Sequence, residues 1–235
     1  MVHVGSDVKM AEQMTIEDVT RQEKLNSGTS KTNNIEFDKS GYFVVRNLWD
    51  PQELYRPVPA QRGQIRYWGK RDDQFTYQPL EQQVEGSLAV YSHPQYRSIQ
   101  SGIRLKLEKI IGSQLYNTYY YDRYYFPGQA LTIHCDRPAC EISVTVNIST
   151  NLEKCWPVCI KKPSGEIGSV CLSPGDGMIY KGCERPHWRD PMPTEYKKTW
   201  YGKKVEKEGL YYHQVFFHYV LANGIRSHFA GDSTR

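Results

Sequence analysis

Three side chains in this sequence carry metal chemistry at informative positions: His134, Asp136 two residues on, and His187 further along the chain. Residues i and i+2 of a strand share a face, so His134 and Asp136 would aim at one point. Neutral imidazoles with a hard carboxylate suit Fe(II) better than the thiolate-seeking zinc ion. With His187 as the second imidazole, the set occupies one face of the ion and leaves three positions open. The surrounding text, LTIHCDRPACEISVTVNIST and PGDGMIYKGCERPHWRDP, puts each histidine at the edge of a strand-like run. A bare His-x-Asp is weak; the second histidine and the strands between strengthen it. His213 and His218 lie five apart on the last strand-like run and should face opposite sides, so both cannot reach one metal. His218 is read as a packed group near the site that supports the ligands.

The elements that would position these residues begin at Gln114, where short strand-like segments alternate with Gly/Pro turns: 115–125, 130–134, 142–148, 156–160, 168–172, 178–180, a short piece at His187, and 211–221. Eight short strands so spaced indicate a mainly β roll or barrel. Ahead of them, Ile99, Ile103, Leu107, Ile110 and Ile111 recur at helical spacing between Pro94 and Gly112, an amphipathic helix expected to buttress a sheet. Tyr42–Val45 reads as an opening strand, and Asp50-Pro51 as the cap and first residue of a short helix. Residues 1–34 are polar and read as a mobile tail with one short helix around Thr15–Leu25. The rest, 35–235, reads as one domain, with a support layer over 35–113 and the β core over 114–225. The Tyr/Gln/Arg-rich stretch 60–91 is either a substrate-facing loop or a packed cover. The Lys-rich stretch 190–210 reads as a lid or a solvated insertion at the barrel mouth.

Composition sets outer bounds. A chain of 235 residues buries one sizeable core. A net charge of +4, with 30 basic and 26 acidic residues and no basic block, argues for a solvated surface and against a nucleic-acid partner. No long apolar run indicates a membrane span, and the N-terminus lacks the apolar stretch of a signal peptide, so a cytoplasmic location is expected. The six cysteines (135, 140, 155, 159, 171 and 183) are then expected to be mostly reduced and packed as small apolar groups. Cys155 and Cys159, taken with Cys135 and Cys140, fit no familiar zinc spacing.

The order of these elements resembles the double-stranded β-helix of the Fe(II)/2-oxoglutarate-dependent oxygenases, and most of all their prolyl 4-hydroxylase-like branch. The residues that carry the likeness are Tyr125-x-x-Gly128, His134-x-Asp136, Pro174-Gly175-Asp176, the run from Gly182 to Arg189, and the closing strand Gln214-Val-Phe-Phe-His218-Tyr-Val. They span roughly residues 115–221. The resemblance implies a jelly-roll core, His134, Asp136 and His187 as ligands of Fe(II), and 2-oxoglutarate and O2 as co-substrates. It further implies hydroxylation of a C–H bond in an amino acid, a peptidyl residue or another small molecule, with succinate and CO2 as co-products. It assigns a co-substrate hydrogen bond to Tyr125, with Tyr124 as the alternative. The family commonly places the basic residue for the distal carboxylate on the last strand, and 211–220 contains neither Arg nor Lys. Arg189 is the first replacement, because it should share a face with His187, with Lys197 and Arg137 behind it. Arg137 either meets an acidic substrate or pairs with Glu141. The rival reading is a non-catalytic cupin-like roll that binds zinc, or a virion-associated protein. Oligomeric state is left open.

Overall fold

Asn34 starts the first helix by accepting hydrogen bonds from the backbone N–H groups of Glu36 and Phe37, both at 3.0 Å. In the computed structural model, which describes residues 30–57 and 83–233, this helix α1 spans Ile35–Ser40. It ends at Gly41, whose φ of 78° suits a residue without a Cβ. The sequence reading expected no helix here; Asn34 caps it and Phe37, fully buried, anchors it. The helix expected around Thr15–Leu25 lies outside the described residues.

Strand β1 (Tyr42–Val45) follows, then α2 (Pro51–Leu54), where the Asp50 side chain accepts from Gln52 N–H at 2.8 Å. Strand β2 (Leu88–Tyr91) emerges from the stretch read as loop or cover, and pairs with the central sheet. The part of that stretch before residue 83 lies outside the described residues. Helix α3 (Gln95–Ile111) buries Ile99, Ile103, Leu107 and Ile111, the expected stripe, and stops at Gly112 in the left-handed region.

The remaining strands are β3 (Leu115–Tyr125), β4 (Leu131–His134), β5 (Ile142–Thr150), β6 (Val158–Lys161), β7 (Ile167–Val170), β8 (Gly177–Tyr180), β9 (His187–Arg189), β10 (Tyr196–Lys198), β11 (Lys204–Glu206) and β12 (Tyr212–Leu221). Six form one sheet in the order β1-β8-β5-β12-β3-β2, and four form a second in the order β4-β9-β6-β7. The pairings are antiparallel throughout. This is the double-stranded β-helix, a jelly roll in which two sheets enclose a central space. β10 and β11 make a separate hairpin in the region read as lid or insertion.

The large sheet is buried on both faces. On the outer face, Val144, Val146, Ile148, Val215, Phe217 and Tyr219 pack against Ile99, Ile103 and Leu107 of α3. Each such side chain taken out of water stabilises the fold by about 1.5–3 kcal/mol. On the inner face, Met178 and Tyr180 of β8 pack against Val158 and Ile160 of β6, which holds the two sheets together.

Two expectations fail in informative ways. Residues 30–34 were assigned to the tail, yet Ser30 and Thr32 are buried. Ser30 N–H donates to Glu184 Oε1 at 2.6 Å, its carbonyl accepts from Lys181 Nζ, and its hydroxyl pairs with Glu141 and accepts from Arg226 Nη1 at 2.8 Å. Four charged side chains thus converge on one serine. The cysteines are not all reduced either: Cys155 and Cys171 form a disulfide with Cα atoms 5.8 Å apart. The reason is the β6–β7 ladder, in which Val158 opposes Val170 and brings the two flanking cysteines side by side. Cys140, Cys159 and Cys183 are buried free thiols, as expected. Among the described residues, no helix is long and apolar enough to cross a membrane.

Candidate metal centre

β4 and β9 are neighbours in the small sheet, and His134 stands opposite His187 in their register. Asp136 lies just past the end of β4, where its N–H donates to the Gly182 carbonyl at 2.9 Å. These three residues converge. Asp136 Oδ1 is 3.6 Å from His134 Nε2 and 3.6 Å from His187 Nε2, and all three donor atoms lie within 4.8 Å of one another.

Hydrogen bonding fixes which nitrogen each imidazole offers. His134 Nδ1 lies 2.8 Å from the Thr132 carbonyl and His187 Nδ1 lies 2.9 Å from the Arg185 carbonyl. A carbonyl accepts and cannot donate, so each Nδ1 carries the proton and each Nε2 presents a lone pair. Gln83 supports this independently. Its Oε1 accepts from Arg123 Nη2 at 3.0 Å, so its amide nitrogen faces His134 Nε2 at 2.8 Å and needs a lone pair there. Two lone pairs and a carboxylate oxygen around one point fit a divalent cation.

Protonation agrees with that donor set. Burial is the largest influence on Asp136 and pushes its carboxyl up, but the surrounding histidines, led by His187, outweigh it and hold the group well below the usual carboxylate range. Burial, reinforced by neighbouring His134, lowers His187 to about 4, so its imidazole is neutral at ordinary pH.

Behind the ligands stands a second layer. Ser143 Oγ donates to Asp136 Oδ2 at 3.0 Å and lies 2.9 Å from His218 Nδ1. His218 is thus one hydroxyl away from the carboxylate, the supporting role the sequence suggested. It packs on Tyr119 and Tyr121, whereas His213 stacks on Tyr124 and bonds Asp122 at 2.8 Å, so the two histidines do face opposite sides. Gly182 closes the pocket from below. A Cβ there would collide with Asp136 Oδ2, the Cys140 carbonyl and Ser143 Oγ.

One strand step from His187, Arg189 points into the same interior, 2% exposed. Its guanidinium donates to the Trp156 carbonyl, to Gln214 Oε1 at 2.8 Å and to Tyr212 Oη at 3.3 Å, and stacks on the Trp156 and Tyr212 rings. No carboxylate pairs with it among the described residues, and its Nε has no partner. A buried cation held this way can accept an anion. Gln214, on the last strand, positions this cation rather than supplying one.

Of the other sequence candidates, Tyr125 is fully buried in the interior and its hydroxyl accepts from Arg123 Nη1 at 3.1 Å. Tyr124 is corrected: it points to the opposite face, where its hydroxyl donates to the carbonyls of Arg56 and Pro57. Lys197 is exposed on the β10–β11 hairpin. Arg137 is engaged at 2.6 Å with Asp232, while Glu141 pairs with Arg226. Cys155, being disulfide-bonded, is no zinc thiolate. Sequence reasoning missed Arg123, Gln83 and Ser143. Arg123 is fully buried on the inner face of β3, over the rings of Tyr121, Tyr125 and Phe216.

No protein-family profile matches the sequence, and no curated protein matches it. Solved structures do match in fold. A protein of the 2OG-Fe(II) oxygenase family from Burkholderia pseudomallei aligns with a TM-score of 0.52 and 10% identity, over 78% of this chain and 86% of that one. A prolyl hydroxylase from Trichoplax adhaerens, in complex with a hypoxia inducible factor peptide fragment, gives 0.52 and 12% over 88% and 93%. HygX from Streptomyces hygroscopicus, with nickel, 2-oxoglutarate and hygromycin B bound, gives 0.51 and 12% over 80% and 86%. At such identities the likeness is one of fold, and the fold is the one the strand pattern indicated.

Proposed function

We propose that the chain is an Fe(II)- and 2-oxoglutarate-dependent dioxygenase that hydroxylates a C–H bond of an amino acid, a peptidyl residue or another small molecule. The observation that carries this reading is the convergence of two imidazole lone pairs and the Asp136 carboxylate on one point, with an acid-free buried guanidinium on the same wall. His134, Asp136 and His187 would hold the metal. When bound, the metal with 2-oxoglutarate supplies O2 activation coupled to decarboxylation of the oxo acid to succinate and CO2.

The chain's own residues do the rest. The Thr132 and Arg185 carbonyls orient the two imidazoles, and Ser143 holds the second Asp136 oxygen, so the ligand set is preorganised. Arg189, braced by Gln214 and Trp156, takes the distal carboxylate of the oxo acid with its charge and its unpartnered Nε–H. Tyr125 lines the same interior through its contact with Arg123. The apolar Val158, Ile160, Met178 and Tyr180 cluster keeps water out of the space between the sheets.

The test uses anaerobically purified full-length protein loaded with Fe(II) and supplied with 2-oxoglutarate. A weak visible absorbance from the chelate, followed by succinate on admitting O2, is the expected result. Protein that retains zinc but not Fe(II), and forms neither chelate nor succinate, overturns the reading in favour of a non-catalytic metal-binding roll.

A further inference from the structure

We propose that the β10–β11 hairpin is a membrane contact, whose tip docks on the surface of an anionic lipid bilayer. Residues 199–202 form its turn, closed by the Gly202 N–H donating to the Thr199 carbonyl at 2.9 Å, with Gly202 at a φ of 84°. Trp200 and Tyr201 are the two central residues of that turn. They are 96% and 60% exposed, and their rings meet edge to face at 5.2 Å. Lys197, Lys198, Lys203 and Lys204 are exposed just behind them, and among the described residues no carboxylate pairs with any of the four. The two lysine pairs are separated in sequence by the turn and become one patch when the strands pair, with Lys198 directly opposite Lys204. Like charges so placed weaken a hairpin, so local stability does not account for the patch.

The order of groups along the hairpin selects the partner. At its base, Glu195 accepts from the backbone N–H groups of Glu153 and Lys154, at 2.7 and 3.0 Å, and pairs with Lys207 at 3.2 Å. Those contacts fix the hairpin to the roll. The acids Glu153, Glu195 and Glu206 thus sit low, the four lysines higher, and the two rings at the apex. At strand rise, Lys198 stands roughly 7 Å behind Trp200. An anionic bilayer has the matching layers: its phosphates attract lysine, and the acyl boundary beneath them takes indole and phenol rings. A nucleic-acid strand is met instead by rings and cations set side by side along one groove. None of these contacts involves His134, Asp136 or His187, so the inference is independent of the dioxygenase reading.

The experiment measures co-sedimentation of full-length protein with vesicles of phosphatidylcholine alone and of phosphatidylcholine with about one-third phosphatidylserine. Binding to the anionic vesicles should be tighter by about tenfold or more and should weaken as salt is raised. The double variant Lys198→Glu/Lys204→Glu should weaken it by about 25-fold or more, and Trp200→Ala by about fivefold or more. A charge-matched control, Lys39→Glu/Lys109→Glu on the exposed sides of α1 and α3, should change it by less than about threefold. Equal binding to both vesicles, binding to neither, or hairpin variants that bind like the unaltered protein would each overturn the inference. So would a control that weakens binding as much as the hairpin variants, or a single-stranded oligonucleotide that binds more tightly and displaces the vesicles. Should Trp200→Ala fail to fold, the lysine variant, which leaves the turn intact, decides with its control.

Discussion

The two faces of the large sheet are equally buried and chemically unlike. β12 has ten consecutive buried residues, of which Val215, Phe217 and Tyr219 face α3 while Tyr212, Gln214, Phe216 and His218 face the interior. β5 divides the same way, with Val144 and Val146 outward and Ser143, Thr145 and Asn147 inward. Burial therefore does not distinguish a stabilising face from a working one. What distinguishes them is whether the buried groups satisfy each other. The outer face closes mainly with apolar contacts, with His213 Nδ1 as an exception. The inner face retains more polar atoms without partners, among them His218 Nε2, Thr145 Oγ1 and Asn147 Oδ1, on the side of the metal-sized cluster.

That contrast can be broken by mutation. Asp136→Ala should have the largest effect, lowering turnover by more than about 1,000-fold and abolishing Fe(II) retention. The thermal midpoint of the metal-free protein should fall as well, because the fold holds the Asp136 carboxyl below its usual range and the variant loses the stability its charge contributes. Steady-state kinetics, metal analysis and calorimetry check the three parts. On the opposite face, Phe217→Ala should cost about 3–5 kcal/mol of stability in urea unfolding, with Fe(II) affinity of the folded protein unaltered. An equal loss of metal binding would show that the faces are not separable.

Smaller effects sharpen the same division. Arg189→Lys replaces a planar guanidinium, braced by Trp156 and Gln214, with a point charge and should raise the KM for 2-oxoglutarate about 10- to 100-fold, with kcat changing less. Gly182→Ala should weaken Fe(II) binding by about tenfold, because its Cβ must push Asp136 or Ser143 aside; a metal titration reads it.

The smallest concerns pH. Burial holds His218 at about 4 in the folded protein, against about 6.5 when unfolded. The folded state thus binds fewer protons than the unfolded state in that interval. Its contribution to stability is complete above about pH 6.5 and is lost as pH falls toward 4. Urea midpoints of metal-free protein should decline across that window, and less steeply in His218→Gln.

Much of the framework was legible because period-two alternation leaves a direct trace. The span 115–125 was read with both of its ends in place, and β12 to within a residue, since their apolar and aromatic residues alternate between firm turn signals. The His-x-Asp pair was legible for the same reason, although Asp136 falls just outside its strand and is aimed by the Gly182 carbonyl rather than by the pleat. Arg123 was passed over inside a run of tyrosines read as ordinary sheet residues. Its phase, shared with Tyr119, Tyr121 and Tyr125, was the signal that it points inward. Gln83 and Ser143 left no such mark, because their roles depend on contacts between distant parts of the chain. The Cys155–Cys171 bond depended on strand register, which spacing along the chain does not reveal.

Ser30 bears on any shortened version of this protein. A polypeptide trimmed to begin at Ile35 would lose Ser30, a residue that Lys181, Glu184, Glu141 and Arg226 all touch. Lys181 adjoins Gly182, and Glu141 lies two residues before Ser143, so the loosened ends would be those that cradle Asp136. Trimming what reads as an expendable leader would thus slacken the pocket of the three candidate metal ligands from behind.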